Sequence, residues 1–143
     1  MAYWLLKSER ETWSWDQQKK AGAKGAEWTG VRNYQARNNM RAMKKGDLGF
    51  FYLSGADKSI IGIVKIVKQA HPDSTDATDQ WECVDVAAAA DLPKPVTLGE
   101  IKANPKLKAM VLVRNSRLSV QPVSSQEWGI ICKLGGLTNP PQA

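Results

Sequence analysis

The sequence predicts one α+β domain, spanning residues 1–143, in which five or six strands form a curled or barrel-like sheet with short helices between them. Three observations predict this class. The 143 residues, 43% of them apolar, are enough for one hydrophobic core. Short β-rich segments recur along the whole chain. Three intervening segments begin with the Ser/Thr-x-x-Gln/Glu spacing of a capping box, which opens a helix.

In the N-terminal half the sequence predicts three strands and two helices. Residues 59–67 are nearly all apolar, which is typical of a central strand covered on both faces. Residues 54–58 have the small and polar side chains of a hairpin connection. Ser14 and Gln17 form the capping box of a helix that ends near Gly22. The predicted strands are 2–7, 48–53 and 59–67, and the helices are 14–22 and 33–43.

The second predicted helix has two distinct faces. Ala36, Met40 and Met43 recur at helical spacing and form an apolar stripe for the core. A polar stripe, which is free for a ligand or for solvent, lies roughly 100° away. It comprises Asn33, Arg37 and Arg41.

In the C-terminal half the pattern predicts strands at 81–86, 110–114 and 118–123. Capping boxes at Thr97 and Ser124 open two further helices, and the second of these ends at Gly135 and Gly136.

Charge is segregated along a moderately basic chain, whose net charge is +6. Residues 31–46 and 101–126 each contain five basic side chains and no acid, whereas residues 69–100 contain seven acids and one lysine. Such segregation favours a positive face for a phosphate-backbone partner. An excess of surface lysine and arginine that only maintains solubility is the alternative.

Several classes of protein are not indicated. The uncharged apolar runs, such as residues 60–64, are far shorter than the roughly 20 residues that span a bilayer. The first residues lack the features of a secretory signal, so we expect a cytoplasmic protein, or a nuclear one in a eukaryotic host. Cys83 and Cys132, far apart and without a CxxC, are expected to be buried thiols rather than metal ligands, although sequence leaves a disulfide open.

The sequence offers little for catalysis. His71 is the only histidine and is expected to be a surface residue in a polar loop. The common zinc, dinucleotide and P-loop motifs are absent, and no cofactor or metal is predicted. Lys7 and Glu9, on alternate residues of the first strand, could share one face. Both an acid–base pair and a surface salt bridge remain open for them.

Residues 28–41 contain the three kinds of group that hold an unstacked nucleic-acid base. Trp28 and Tyr34 are candidate stacking faces, and base–aromatic stacking contributes about 1–3 kcal/mol per base. Asparagine amides suit a base edge, and arginine suits phosphate. These polar candidates are Asn33, Asn38, Asn39, Arg32, Arg37 and Arg41.

Each candidate also has a structural alternative. Trp28 could fill the core, as the other five tryptophans are expected to do, and Tyr34 could pack beneath the helix. Asn33 could be the helix N-cap, a common role of asparagine. The arginines could form a solvated face.

Longer motifs make the chain similar to the EVE domain family. They run in order from the first strand to the last, so the resemblance covers nearly the whole chain. The motifs are WLLKSE at 4–9, WTGVRNYQARN at 28–38, GD at 46–47, FFY at 50–52 with Ser54, and SRLSVQPV at 116–123.

The resemblance implies a PUA-like pseudo-barrel, the fold of YTH, SRA and ASCH domains. It implies a reader of a modified base, above all a modified cytosine in DNA, with RNA as a second partner and no membrane. Trp28 would stack, Ser8 and Asn33 would contact the base, and arginines would hold the strand. The implied base pocket is Lys7, Ser8, Trp28, Val31, Asn33, Tyr52, Ser54, Leu118 and Ser119, and the phosphate-binding residues are Arg32, Arg37, Arg41 and Arg117.

The chain departs from the family pattern at two positions, where Arg10 replaces a common proline and Leu53 replaces a common histidine. Any ligand contact of that histidine would be absent, and the preferred base therefore stays open. An RNA- or tRNA-binding module of the PUA type is one alternative function. A small hydrolase of modified nucleosides, by analogy with ASCH domains, is another, with Lys7 and Glu9 as its candidate pair.

Overall fold

The computed structural model describes residues 2–142, and the predicted α+β class is confirmed. Within these residues the chain forms one sheet, five α-helices and a 3₁₀ turn at Pro105–Leu107. The strands are β1 Tyr3–Ser8, β2 Ala26–Glu27, β3 Leu48–Leu53, β4 Ser59–Pro72, β5 Glu82–Thr97 and β6 Val120–Val123. The helices are α1 Trp15–Lys20, α2 Tyr34–Ala42, α3 Leu98–Ala103, α4 Val111–Arg114 and α5 Ser125–Leu134.

The strand order β2-β5-β4-β3-β1-β6 places the first strand near one edge of the sheet. Strand β1 runs parallel to β3, with Ser8 opposite Leu53, and antiparallel to β6. The Lys7 N–H continues this pairing by donating to the Ser119 carbonyl at 2.9 Å. The carboxyl end of β1 therefore meets the ends of β3 and the segment before β6.

Apolar side chains cover both faces of the sheet because successive residues of a strand point to opposite sides. Phe51 belongs to a cluster with Trp4, Leu6 and the apolar residues of α2. Phe50, its neighbour, belongs to a second cluster with Leu5 and the helices that follow β5. The two faces of the sheet therefore have separate core clusters.

Most elements were predicted correctly. Strand β3 has the predicted bounds, and all three capping boxes form, at Ser14, Thr97 and Ser124. The apolar stripe of α2 is buried, and Asn33 is its N-cap. The caps satisfy the first N–H groups of these short helices, and packing of their apolar faces on the core supplies the rest of their stability.

Three predictions about elements were wrong. The predicted strand at 110–114 is helix α4, because the Met110 carbonyl accepts hydrogen bonds from both Val113 and Arg114. Tertiary packing overrides its β-branched residues here. Strand β5 continues to Thr97, beyond the predicted end at 86, and β4 continues to Pro72, beyond 67. Long pairing between β4 and β5, interrupted by several register shifts, extends both strands.

His71 accordingly lies in a strand, not in the loop that was predicted, and its ring faces Asp85 on β5. The two cysteines are buried free thiols, as expected. Of the helices formed by residues 2–142, none has the length and apolar character needed to cross a bilayer.

Candidate functional site

A cavity of about 650 Å³ opens at the carboxyl end of β1. This volume lies within the range of small-ligand pockets. Four parts of the chain meet there: the end of β1 with the turn after it, residues 26–30, the residue after β3, and the segment before β6. The lining residues are Lys7, Ser8, Glu9, Thr12, Trp13, Ala26, Glu27, Trp28, Thr29, Gly30, Ser54, Ser116 and Ser119.

Trp28 both lines the cavity and belongs to the core. Its backbone N–H donates to the Val84 carbonyl at 2.8 Å, which extends the pairing of β2 with β5. Its ring stands perpendicular to Phe51, at 89° and with 5.6 Å between centroids, and only 6% of the residue is exposed. The structural and ligand-facing interpretations of Trp28 are therefore compatible.

Asp73 fixes the segment that follows Trp28 by accepting hydrogen bonds from it. The Asp73 side chain is 0% exposed. Its carboxylate accepts hydrogen bonds from Gly30 N at 2.9 Å and Arg32 Nη1 at 3.1 Å. Burial alone would raise the pKa of Asp73, but hydrogen bonds from Thr75, Gly30 and Arg32 outweigh it and hold the pKa below its usual value. Gly30 has φ +84, a conformation that favours glycine at this turn.

Hydroxyl and amine groups form another part of the cavity lining. The Ser8 hydroxyl donates to the Trp13 carbonyl at 2.7 Å, and the Ser54 hydroxyl donates to the Ser8 carbonyl at 3.1 Å. Lys7 Nζ donates to the Ser116 carbonyl at 2.5 Å, and burial lowers the pKa of this amine. Within residues 2–142 the Ser119 hydroxyl has no hydrogen-bond partner, so it is available to a ligand.

Glu27 connects the cavity to a polar cluster behind it. A hydrogen bond from the Ser74 backbone holds the pKa of Glu27 below its usual value. The Cys83 thiol donates to Glu27 Oε1 at 3.4 Å and lies 3.9 Å from His71 Nε2. The three side chains have one ligand atom each within 4.8 Å of the others. Hydrogen bonds link these three side chains, and a further one of 2.7 Å joins His71 to Asp85.

The structure gathers five of the nine predicted pocket residues around the cavity: Lys7, Ser8, Trp28, Ser54 and Ser119. Val31 and Leu118 are buried in the core beneath it. The Asn33 side chain accepts a hydrogen bond from Ala36 N at 2.9 Å as the N-cap of α2, and Asn33 is not among the lining residues. Tyr52 lines an adjoining groove instead.

The predicted phosphate-binding arginines are in different surroundings. Arg32 is paired with buried Asp73, and Arg41 forms an ion pair with Glu82. Acids of the segment 69–100 therefore neutralise two of the four arginines that were expected to bind phosphate. Arg37 and Arg117 take part in no ion pair with the described residues.

An aromatic stack occupies the outer surface of α2. Tyr34 is 61% exposed and stacks on Trp81 with 4.9 Å between ring centroids, so the expectation that Trp81 fills the core was wrong. The Arg37 guanidinium lies 4.9 Å from the centre of the Tyr34 ring. Cation–π attraction fixes this arginine at the surface.

The two departures from the family pattern have structural consequences. Arg10 forms an ion pair of 2.6 Å with Asp57, which ties the turn after β1 to the connection between β3 and β4. Leu53 is buried in the same cluster as Trp28. An aliphatic side chain therefore packs in the core where the family commonly has histidine.

Sequence reasoning missed several lining residues, among them Thr12, Trp13, Glu27, Thr29 and Ser116. Trp13 was assigned to the core, yet it is only partly buried. Glu9 lies in the turn after β1 rather than on the strand, but it still lines the cavity together with Lys7. Glu9 belongs to the WLLKSE motif and was already a candidate with Lys7, whereas the only signal for Trp13 was its position four residues after that motif.

Comparison with known proteins agrees with this architecture. The EVE domain profile matches residues 2–134. Thymocyte nuclear protein 1 of Gallus gallus is 37% identical over an alignment of 164 residues, which covers 92% of this chain and 68% of that protein.

Two solved structures have the same fold. A crystal structure of a protein from Agrobacterium tumefaciens is 55% identical, with a TM-score of 0.95 and coverage of 100% of this chain and 99% of that one. Human thymocyte nuclear protein 1, crystallised in complex with DNA containing 5-methylcytosine, is 34% identical, with a TM-score of 0.86 and coverage of 97% and 100%. These likenesses agree with the PUA-like pseudo-barrel. The chain belongs to the EVE domain family.

Proposed function

We propose that this protein is a non-enzymatic nucleic-acid-binding module that holds a modified base, a modified cytosine in DNA, in the cavity at the end of β1. One observation carries the proposal. The cavity lined by Trp28 lies in a fold shared over nearly the full chain with human thymocyte nuclear protein 1, a structure that contains 5-methylcytosine DNA. A base must leave the duplex to enter such a cavity.

The lining supplies what an extruded base requires. Trp28 and Trp13 provide aromatic surface for stacking, and the rigid packing of Trp28 on Phe51 keeps its ring in place. The hydroxyls of Ser8 and Ser119 and the Lys7 amine provide polar contacts for the base edge. We assign base contact to these residues and to Ser54, and a supporting role to Val31, Asn33 and Leu118.

The chemistry of the cavity supports binding rather than turnover. The Ser8 hydroxyl already donates to a backbone carbonyl and is not hydrogen-bonded to a general base. The one histidine, His71, is not among the lining residues. Lys7 and Glu9 do line the cavity, so turnover of modified nucleosides that Lys7→Ala abolishes would favour the hydrolase alternative instead.

A competition experiment tests the proposal. Fluorescence anisotropy of a labelled duplex carrying one 5-methylcytosine is followed while unlabelled competitors are added: the unmodified duplex, and matched RNA strands with and without the modification. We expect the modified DNA to compete best. RNA that competes better than DNA would instead support the PUA-type RNA module, since the 2′-OH distinguishes the two. Equal competition by modified and unmodified strands would contradict modified-base recognition.

A further inference from the structure

A second, smaller groove of about 290 Å³ adjoins the base cavity. The two share Lys7, Ser54 and Ser116, so a molecule in one is in reach of the other. The groove adds Tyr52 from β3, Lys58 from the β3–β4 connection and Lys102 from α3. It therefore adjoins the part of the cavity formed by Lys7, Ser54 and Ser116.

The groove is more positive than the α2 surface. Three lysines and no acid line it. Asp57, the acid adjacent to Lys58 in sequence, is paired with Arg10 at 2.6 Å. Among residues 2–142 neither Lys58 nor Lys102 forms an ion pair. By contrast, Arg32 and Arg41 are already neutralised by acids of their own chain.

Tyr52 gives the groove a specific hydrogen-bond donor. The residue is 3% exposed and its hydroxyl has no partner among the described residues. Burial raises the pKa of Tyr52, so the hydroxyl keeps its proton. Lys7 Nζ lies 5.7 Å from the centre of the Tyr52 ring. A hydroxyl donor that lines the groove without a partner, beside several ammonium groups, suits an anionic oxygen.

The backbone holds Lys58 in place. Lys58 has φ +41, in the left-handed region that residues other than glycine rarely adopt. Its carbonyl accepts a hydrogen bond from Leu98 N at 2.8 Å, which ties this turn to the start of α3. The fold therefore maintains an unfavourable conformation that places Lys58 at the groove.

We propose that this groove binds the phosphodiester next to the extruded nucleotide, with the Tyr52 hydroxyl and the amines of Lys58 and Lys102 around its oxygens. The inference rests on the proposed function, because the base cavity determines where that nucleotide lies. It places the strand on the side of Lys58 and Lys102 rather than along the arginines of α2.

The dependence of DNA affinity on salt tests this placement. Each phosphate contact contributes about 0.9 to the slope of log K against log salt. We expect Lys58→Gln/Lys102→Gln to lower the magnitude of the slope by about 1, as the loss of one phosphate contact requires, and to weaken binding by about tenfold at physiological salt. Lys133→Gln, on the exposed side of α5, is the control and should change neither the slope nor the affinity. Tyr52→Phe should weaken binding several-fold while the slope is unchanged, because no charge is lost.

The outcomes separate this inference from the proposed function. The inference is wrong if Lys58→Gln/Lys102→Gln has the same slope of log K against log salt as the wild type while Arg32→Gln/Arg41→Gln has a smaller one. That result would place the strand along α2. The preference for the modified duplex in the wild-type protein reports on the proposed function alone. We expect that preference to persist in the lysine variant, with circular dichroism verifying that each variant is folded.

Discussion

The indole of Trp28 stands edge-on to Phe51, with 5.6 Å between the ring centroids and an angle of 89°. Phe51 is fully buried and does not line the cavity, so its contact with Trp28 connects it to the cavity wall. Core packing on this face of the sheet therefore determines the position of the ring that we assign to base stacking.

We predict that Phe51→Leu weakens discrimination between modified and unmodified DNA. The substitution removes the aromatic pairs that Phe51 forms with Trp28 and with Trp15, each of which contributes about 0.5–1.5 kcal/mol, and it allows Trp28 to shift. Urea unfolding measures the stability, and competition binding measures the discrimination. Phe50→Leu is the matched control. Phe50 is equally buried, but it stacks on Trp128 in the cluster on the other face of the sheet. Equal loss of discrimination in both variants would show that only global stability matters.

Asp73→Asn should destabilise the protein in a pH-dependent way. The hydrogen bonds from Thr75, Gly30 and Arg32 hold the pKa of Asp73 below its unfolded value of about 3.9. Its contribution is therefore present above that value and is lost as pH falls through the lower, folded-state pKa. We expect Asp73→Asn to cost about 1–3 kcal/mol near neutral pH.

Urea unfolding at about pH 7 and about pH 3 checks this expectation. The difference between wild type and Asp73→Asn should shrink at the lower pH, and exposed Asp16→Asn should show little difference at either. If the difference in the free energy of unfolding were the same at both pH values, the charge of Asp73 would not be the cause of the destabilisation.

We predict that Asn33 acts on stability and not on the base. As an N-cap its oxygen is occupied by Ala36 N, so Asn33→Ala should lower the free energy of unfolding by about 0.5–2 kcal/mol. Asn33→Ser restores a capping oxygen and should recover most of that loss. Both variants should retain discrimination between modified and unmodified DNA. Discrimination lost in the serine variant would instead indicate a direct contact with the base.

Lys7 should make nucleic-acid affinity fall at alkaline pH. Burial lowers the pKa of its amine, so the positive charge is present below that pKa and is lost as pH rises through it, earlier than for an exposed lysine. Lys7→Arg keeps the charge, because arginine stays protonated, and should remove this decline. Anisotropy titrations from neutral to alkaline pH provide the measurement. An identical decline in both proteins would assign it to another group.

Short sequence patterns correctly predicted where several helices begin and where strand β3 lies. The capping residues Ser14, Thr97 and Ser124 begin helices because a side-chain oxygen within three residues satisfies their first N–H groups. Such effects need no knowledge of distant residues. The buried strand β3 was likewise evident from its apolar run.

Long-range contacts account for what could not be predicted. The pairing of Arg32 with Asp73 depends on β4 continuing past the predicted end of the strand, to Pro72, and on register shifts against β5. Trp13 and Ser116 reach the cavity from turns whose positions are determined by the whole sheet. Neither a charge count nor a motif contains this information.

The most direct test of modified-base recognition is a cycle that combines one protein change with one chemical change in the DNA. The affinities of wild type and Trp28→Phe for duplexes with 5-methylcytosine and with cytosine give the coupling between Trp28 and the modification. Phenylalanine is chosen because removing a buried tryptophan side chain entirely costs about 3–5 kcal/mol. We predict that wild type prefers the modified duplex and that Trp28→Phe reduces this preference by about 1 kcal/mol or more. Additive effects, with the same preference in both proteins, would contradict the account.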